Sequence, residues 1–294
     1  MRIVSLLPSA TDIIAELGLM DSIVGISEDC NWPPEVREKP LVGRVTIDVS
    51  SMSSAEIDAA VKASVTAGRS IYAIDAELLD RIKPDLIITQ DLCEVCAVSS
   101  GDIASACPVG VEVYSMNPRT LTDVIASVIS LAEKLGVKKR GEEIASRMQR
   151  RIDTVRAATS NLDRPRVFVA EWIDPPYQAG HWLPEMVDAA GGVNLLSQPG
   201  EYSYPTNWDT VLSQNPDIIV IAACGFNIEQ ALGRIDGLEL PVRTIVVDGD
   251  SYFSRPAPRL ADGVEQLGHL LHPKVVRSAK LPFFELPITT GSAI

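Results

Sequence analysis

Two stretches of the chain share one order of polar and apolar positions. Residues 79–89 read LDRIKPDLIIT and residues 212–221 read LSQNPDIIVI, so each passes through Pro-Asp into an unbroken apolar run. Such runs are typical of strands that are buried on both faces of a parallel sheet. The pattern predicts buried strands at 84–89 and 216–221, each of which follows the end of a helix.

The segments around these strands repeat as well. Residues 2–7 and 166–171 have the pattern of an opening strand that leads through a loop into a helix. Residues 109–114 and 242–247 predict a third strand, at a similar distance after each Pro-Asp strand. The chain is therefore predicted to be an α/β protein with two Rossmann-like lobes, each built on a parallel sheet.

A long helical stretch separates the two repeats. Apolar residues recur at helical spacing from Leu121 to Leu135, and Thr120 or Thr122 is a suitable N-cap. Gly136 and Gly141 weaken the middle, so the stretch predicts one bent helix or two. The predicted domains, listed in order, are an N-terminal lobe (1–117), a connecting helix (118–160) and a C-terminal lobe (161–294).

Composition narrows the function classes. The formal net charge is −13, from 26 basic and 39 acidic residues, which argues against nucleic acid or an anionic membrane surface as a partner. The first apolar run, 3–7, is shorter than the roughly 7–15 residues of a secretory signal core. This predicts a cytoplasmic protein, or a periplasmic or extracellular one if the chain is a processed form. Five cysteines, an odd number, do not indicate a disulfide framework.

Ligands of open α/β sheets bind outside the carboxyl ends of the strands, which selects four loops. The loop at 8–12 starts a helix, where Ser9 or Thr11 is expected to be the N-cap, or where free N–H groups bind an anionic or carbonyl group. The loop at 171–185 holds two tryptophans, a tyrosine and the first histidine, which favours ligand contact over core packing. The remaining loops are 90–96 and the small-residue loop 222–226.

Cysteine and histidine chemistry leaves alternatives open. Cys93 and Cys96 form a CxxC pair, which is interpreted first as free or packed thiols, then as a metal or ligand-sulfur contact, then as a redox dithiol. Cys30 would have to be brought in by the fold to complete a metal site. His181 is a candidate axial ligand for cobalt or iron, or a histidine that is hydrogen-bonded at a helix start.

Sequence signatures of catalysis are missing. The chain contains no nucleophile elbow, Walker loop, HExxH or GxGxxG, and no spacing that indicates a triad or paired carboxylates. These observations favour a binding protein over an enzyme, without a nucleotide cofactor.

Four segments resemble one known family: 2–12 (RIVSLLPSATD), 83–87 (KPDLI), 191–194 (GGVN) and 253–260 (FSRPAPRL). They look like the cobalamin-type substrate-binding proteins of ABC importers, and the resemblance covers about residues 2–273. It implies two lobes joined by one long rigid helix, with a corrinoid or related large metal chelate held in a cleft between the lobes. The 91–96 loop is not a feature of the transport proteins and resembles relatives that lack an export signal.

The first hypothesis is therefore a monomeric corrinoid-binding protein, with an ABC permease as a possible partner and no nucleic acid. Haem and siderophore remain alternative ligands. Trp172, Tyr177 and Trp182 would pack on the ligand from the second lobe, and Trp32 and residues 8–11 would oppose them. The predicted ligand-binding residues are Pro8, Ser9, Ala10, Thr11, Trp32, Asp91, Leu92, Trp172, Asp174, Pro176, Tyr177, His181, Trp182, Glu185, Cys224, Gly225, Phe253 and Arg255.

The second hypothesis is a cytoplasmic metal- or thiol-dependent protein that uses Cys93 and Cys96, with Cys30 as a further ligand. The bound group would be an iron–sulfur cluster or zinc, or the pair would act as a redox dithiol. A third hypothesis is an interaction module that kept the fold and lost the ligand.

Overall fold

The computed structural model describes residues 1–91, 97–103, 106–235 and 237–289. Contacts between backbone positions group the chain into two compact units. Unit 1 consists of Met1–Met52, Glu56–Pro118 and Ala126–Ala145, and unit 2 consists of Ser53–Ala55, Arg119–Ile125 and Ser146–Ile294.

Unit 1 is built around a sheet with the strand order β4-β3-β2-β1-β5-β6. All neighbouring strands in it are parallel except β3 and β4, which are antiparallel. Its elements in chain order are β1 (Ile3–Ser5), α1 (Pro8–Glu16), β2 (Ile23–Ser27), β3 (Leu41–Val45), α2 (Ser54–Thr66), β4 (Tyr72–Ile74), α3 (Ala76–Ile82), β5 (Leu86–Thr89), α4 (Ser100–Ile103) and β6 (Glu112–Ser115).

Two helices follow β6, α5 (Leu121–Lys134) and α6 (Lys138–Thr159). Of the two arrangements that the sequence left open, one bent helix or two helices, the structure has two. Gly136 separates them with a left-handed φ of 76°, and the Val137 N–H bonds the Ala132 carbonyl at 2.8 Å. This is the arrangement of a Schellman C-cap, which ends α5. Thr120 begins α5 as predicted, because its hydroxyl accepts the Asp123 N–H at 3.1 Å.

Unit 2 is built around a sheet with the strand order β10-β8-β7-β11-β12-β13, in which β9 also pairs with β7. Its remaining elements in chain order are β7 (Arg166–Ile173), β8 (Pro176–Gln178), α7 (Leu183–Ala189), β9 (Val193–Asn194), β10 (Tyr204–Pro205), α8 (Trp208–Ser213), β11 (Ile218–Ile221), α9 (Ile228–Leu232), β12 (Arg243–Val247), α10 (Gly249–Tyr252), α11 (Leu260–Leu271) and β13 (Phe283–Glu285).

The two units share a parallel core of three strands. In unit 1 the order is β1-β5-β6, and in unit 2 it is β7-β11-β12. Every residue of β5 and β11 is buried, as their unbroken apolar sequences predict. The prediction of two α/β lobes is confirmed, with one correction: both sheets are mixed, because β4, β8, β10 and β13 add antiparallel strands toward the edges.

The Pro-Asp motif joins two strands at the start of each core. In unit 1 the Arg2 N–H donates to the Asp85 carboxylate at 2.6 Å, and the Asp85 N–H donates to the Arg2 carbonyl at 2.8 Å. The Arg2 guanidinium also binds the carbonyl of Ile82, the last residue of α3, at 2.6 Å. One arginine therefore joins the opening strand to both the end of a helix and the start of the next strand.

Unit 2 repeats these bonds. The Arg166 N–H donates to the Asp217 carboxylate at 2.7 Å, the Asp217 N–H returns a bond to the Arg166 carbonyl, and the guanidinium binds the Gln214 carbonyl at 2.6 Å. Because these bonds are made at the amino ends of β7 and β11, they fix how far each strand extends toward the carboxyl edge. The internal repeat in the sequence is therefore a repeat of one strand-joining arrangement.

None of the described helices is both long enough and apolar enough to cross a membrane.

We expect Gly141→Ala to destabilise the protein although alanine favours helices by about 1 kcal/mol. A Cβ at position 141 would lie 2.3 Å from the Ala132 Cβ, where α5 and α6 pack together. Overpacking of this kind costs roughly 1–3 kcal/mol, measurable as a lower free energy of unfolding in urea.

The matched control is Ser146→Ala on the exposed side of the same helix. Its free energy of unfolding should stay within about 0.5 kcal/mol of the parent value. A Gly141→Ala variant as stable as this control would contradict the close packing of α5 on α6.

Candidate functional site

Aromatic side chains meet at the carboxyl edge of the unit 2 sheet. Trp172 leaves near the end of β7, and Phe226 lies in the loop after the neighbouring strand β11. Their ring centroids are 5.1 Å apart with an interplanar angle of 39°. The Cys224 N–H donates to the Glu171 carbonyl at 2.9 Å, so the loop after β11 bends over the end of β7. Trp172 is half-buried, and its indole N–H donates to the Ser54 carbonyl at 3.1 Å.

The hairpin of β7 and β8 extends this aromatic surface. Trp172 lies opposite Tyr177 in the ladder, and Pro176 lies opposite Ile173. Tyr177 is half-buried and Pro176 is buried, whereas Asp174 in the connecting turn is exposed. Four residues predicted from the sequence, Trp172, Asp174, Pro176 and Tyr177, are therefore neighbours at one edge. Aromatic rings with a few polar groups suit a large ligand with apolar faces.

The loop after β11 offers its backbone to a ligand. Gly225 is exposed, has a left-handed φ of 74°, and has open space where a Cβ would stand. Cys224 beside it is half-buried. Glycine at this position allows both the conformation and a close approach to the main chain.

The loop after β12 supports the loop after β11 from the other side. Arg255 is 5% exposed, and its guanidinium binds the Asp250 carboxylate through several bonds of 2.7 to 3.1 Å. The Asp250 N–H donates to the Phe226 carbonyl at 3.1 Å. Arg255 is therefore joined to the aromatic surface through Asp250.

Two predicted ligand contacts lie in the core of unit 2 instead. Phe253 is fully buried and Trp182 is 4% exposed, and the Trp182 indole N–H donates to the Phe253 carbonyl at 2.7 Å. Burial of both rings argues against direct contact with a ligand. The physical reason is that Trp182 satisfies a buried carbonyl while filling the core, which a sequence pattern does not distinguish from an exposed ring.

His181 stands just before α7 in a left-handed conformation, with a φ of 53°. Its main chain is held by Glu201 and Gly200, at 2.6 and 2.9 Å. Its ring packs edge-on against Tyr202, and Nε2 is buried without a hydrogen-bond partner among the described residues. Coordination of a metal by Nε2 would first require exposure of this atom, and its role as an axial ligand stays a prediction.

Electrostatics keep this imidazole neutral. Burial lowers the pKa of His181, and the positive charge of Arg119 lowers it further. The Arg119 guanidinium stacks on the Tyr202 ring at 4.4 Å. Close by, the Glu185 carboxylate accepts the N–H of Leu121 in the first turn of α5. Glu185 was predicted to contact ligand, and the structure uses its carboxylate at a helix N-terminus, where negative charge is favourable.

In unit 1 the predicted N-caps are wrong. Helix α1 begins with Pro8 at its first position, and its N-cap, Leu7, has no side-chain cap. Thr11 is instead a buried interior residue, with its hydroxyl 2.8 Å from the Ser5 hydroxyl and 3.1 Å from the Cys30 sulfur. Proline fits the first turn because it lacks the N–H that would be unsatisfied there, so the helix starts earlier than a serine or threonine signal indicates.

The residues at the start of α1 are enclosed. Pro8, Ser9, Ala10 and Thr11 are all buried, and the Ser9 hydroxyl has no hydrogen-bond partner among the described residues. Trp32 is half-buried. The ligand-binding roles of these residues stay predictions.

Of the three cysteines predicted to bind a metal, only Cys30 lies within the described residues. Cys30 is buried, with its sulfur 3.1 Å from the Thr11 hydroxyl, 3.3 Å from the Ser27 hydroxyl and 3.6 Å from the Ser5 carbonyl. Leu92, Cys93 and Cys96 lie outside the described residues. In the described part of the chain, no three or more His, Cys, Asp or Glu side chains form a group that could hold a metal ion.

Asp91, the last described residue before that segment, is exposed and accepts hydrogen bonds from Ser115 and Ser100 at 2.6 and 2.9 Å. Burial opposes ionisation, but these bonds outweigh it and lower the pKa of Asp91.

Sequence reasoning gave Phe226 only as the end of a small-residue loop and did not identify it as the ring that packs on Trp172. The available signal was an aromatic residue in the loop that follows a buried strand. Tyr202, which packs on His181, and Tyr204, which pairs with Gln178 of β8, were also not identified.

The structure therefore has two α/β units, each with a mixed sheet, and an aromatic cluster at the carboxyl edge of unit 2. Residues 3–239 match the periplasmic binding protein family, and the chain belongs to that family. The predicted resemblance to the substrate-binding proteins of ABC importers is confirmed.

Three similar proteins illustrate the relationship. An uncharacterized ABC transporter substrate-binding lipoprotein of Bacillus subtilis, YvrC, is 24% identical over 283 residues, which cover 92% of this chain and 80% of the relative. A vitamin B12-binding protein of Vibrio cholerae is 25% identical over 278 residues, 90% of this chain and 87% of the relative. The solved periplasmic heme-binding protein RhuT from Roseiflexus has a TM-score of 0.68 at 22% identity, covering 92% of this chain and 98% of that one.

These relatives correct the predicted location. The chain belongs to the periplasmic binding protein family and the Bacillus subtilis relative is named as a lipoprotein, so the prediction of a cytoplasmic protein is wrong. That prediction rested on the short apolar run at residues 3–7. At the level of the family, the relatives are substrate-binding proteins and not enzymes.

We expect the protein to lose stability as the pH falls below about 6.5, the ordinary pKa of histidine. The pKa of His181 is lowered in the folded state, so the unfolded chain binds a proton that the folded chain disfavours. The loss should continue until the pH has fallen through the lowered pKa. Urea unfolding at several values between about pH 7.5 and 5.5 measures it.

The comparison variant is His181→Gln, which has no proton to gain at this position. Its stability should fall less steeply with pH than that of the parent. Parallel pH profiles for the two proteins would show that His181 does not contribute.

Proposed function

We propose that this protein is the substrate-binding component of an ABC importer and that its ligand is a corrinoid. The observation that carries the proposal is the Trp172–Phe226 pair at the carboxyl edge of unit 2, within a chain that belongs to the periplasmic binding protein family. The sequence relative from Vibrio cholerae is named for vitamin B12, which favours a corrinoid. The haem-binding structure is 22% identical and supports the fold alone.

The chemistry of the site suits a large ring with polar substituents. Trp172 and Tyr177, which are half-buried, supply aromatic surface for the apolar face of the ring, and Phe226, which is 7% exposed, supports Trp172 from behind. The exposed Asp174 and the exposed main chain at Gly225 supply polar groups at the margin, where amide substituents of a corrin would lie. An apolar wall with a few fixed polar groups is the usual arrangement of such sites.

The metal- or thiol-dependent alternative has less support. Its proposed ligands Cys93 and Cys96 lie outside the described residues, and Cys30 is enclosed by hydroxyl groups. The relatives are substrate-binding proteins, and one carries the name of an ABC transporter component. A permease is therefore the proposed partner.

Visible spectroscopy tests the ligand directly. The purified protein is mixed separately with cyanocobalamin, cobinamide and haem, desalted, and its absorbance spectrum is recorded. Co-elution of a corrinoid supports the proposal, and titration calorimetry then gives its affinity. Retention of haem alone would show that the ligand is haem and not a corrinoid. A colourless protein in all three mixtures would overturn the proposed function.

We expect Trp172→Leu to weaken corrinoid binding by about tenfold or more, because aromatic anchors dominate the binding energy of such sites. Trp172→Phe keeps an aromatic face and should bind with intermediate affinity. Calorimetric titration measures both, and thermal unfolding verifies that the variants are folded.

Trp208→Leu is the matched control. Trp208 packs edge-on against Phe168, a fully buried residue of β7, with the ring centroids 6.2 Å apart. Its affinity should remain within about twofold of the parent value, even if its stability falls. Equal weakening by the two tryptophan substitutions would show a loss of folding and not of a ligand contact.

A further inference from the structure

The loop after β12 holds the main chain of the loop after β11. Gly249 lies directly on Ala222 and Ala223, since a Cβ at position 249 would be 2.3 Å from the Ala223 carbonyl oxygen. The next residue, Asp250, donates its N–H to the Phe226 carbonyl at 3.1 Å. The position of Phe226 therefore depends on the conformation of the loop after β12.

A buried ion pair closes that loop. The Arg255 guanidinium contacts both carboxylate oxygens of Asp250, with Nη2 at 2.8 and 2.7 Å and Nε at 3.1 Å from Oδ1. The Arg255 side chain is 5% exposed and the Asp250 side chain 18% exposed. The planar guanidinium matches both oxygens in a way that a lysine ammonium cannot.

Hydrogen bonds within the loop make the arrangement compact. The Ser254 and Phe253 N–H groups donate to the Gly249 carbonyl at 2.8 and 3.2 Å. Asp248 caps the short helix α10 by accepting the Ser251 N–H at 2.8 Å. The ion pair thus joins the two ends of a turn whose backbone is already folded back on itself.

From these contacts we propose that Arg255 and Asp250 form a positioning pair, which holds Phe226 against Trp172 and thereby sets the ligand affinity of this surface. The inference rests on the proposed function. Arg255 was predicted to touch ligand, but its buried guanidinium engages Asp250 and acts on the surface through the Asp250 N–H and the Phe226 carbonyl. It is a positioning residue and not a ligand contact.

The test compares two arginine-to-lysine substitutions. Arg255→Lys keeps the charge and loses the planar match to Asp250. We expect it to weaken corrinoid affinity by about tenfold, mainly through faster dissociation, which stopped-flow absorbance measures.

The matched control is Arg151→Lys. Arg151 makes a comparable set of bonds to Asp262 and Glu265, at 2.6 and 2.8 Å, between α6 and α11. This substitution should lower the thermal midpoint but leave the affinity within about twofold. Equal effects of the two substitutions on affinity, or an unchanged affinity in Arg255→Lys, would overturn the positioning role.

A second readout does not need ligand. Trp172 fluorescence reports the packing of Phe226 against its ring. Because the chain has four tryptophans, each spectrum is recorded with and without the Trp172→Phe substitution, and the difference is the contribution of Trp172. Arg255→Lys should change the Trp172 contribution in the ligand-free protein, and Arg151→Lys should not. The parent protein could bind no corrinoid while Arg255→Lys still changes the Trp172 fluorescence. In that case the proposed function fails, but the effect of Arg255 on the packing of Phe226 against Trp172 is supported. An unchanged Trp172 contribution would overturn the linkage.

Discussion

The amino ends of the central strands are joined by the same arginine–aspartate arrangement in both units, and the positions of the other groups follow from it. Arg166 binds Asp217 and the end of α8, as Arg2 binds Asp85 and the end of α3. These bonds set the register of neighbouring parallel strands, with Val167 opposite Ile218 and Ala170 opposite Ile221. The register therefore fixes which residue of each strand lies at the carboxyl edge of the sheet. A shift of one residue would reverse the faces of all the side chains that follow.

That register decides which residues meet at the carboxyl edge of unit 2. Because β7 and β11 are adjacent, Trp172 and Phe226 come together from positions that are more than fifty residues apart in the chain. The loop after β12, from the next strand, then supports Phe226 through Gly249 and Asp250. The aromatic surface is thus built from three consecutive strands of one sheet. Packing of the rings is not the only interaction that holds this surface together. A buried ion pair closes the loop after β12, and a main-chain hydrogen bond joins that loop to Phe226.

Much of the fold could be predicted, because its signals are local. The unbroken apolar runs before Thr89 and Ala222 predicted the central strands, and Thr120 was correctly expected as an N-cap. Errors arose where a local signal competes with another. Thr11 resembles a cap but is a buried interior residue, because Pro8 starts the helix earlier. Gly136 was seen as a weak point, and the structure uses its left-handed conformation to end α5.

For the candidate site, the sequence by itself determined the loops and the residue types: the strand exits, the aromatic-rich hairpin after β7 and the small residues after β11. Tertiary structure decided which of these side chains are accessible. Trp172 and Trp182 stand ten positions apart with similar surroundings in sequence, yet one is half-buried at the edge and the other fills the core with its N–H bonded to the Phe253 carbonyl. Arg255, which was predicted to contact ligand, is buried and paired with Asp250. The physical reason for the difference between the two tryptophans is that burial depends on groups that are distant in the chain, such as Phe253, and a local pattern carries no information about them.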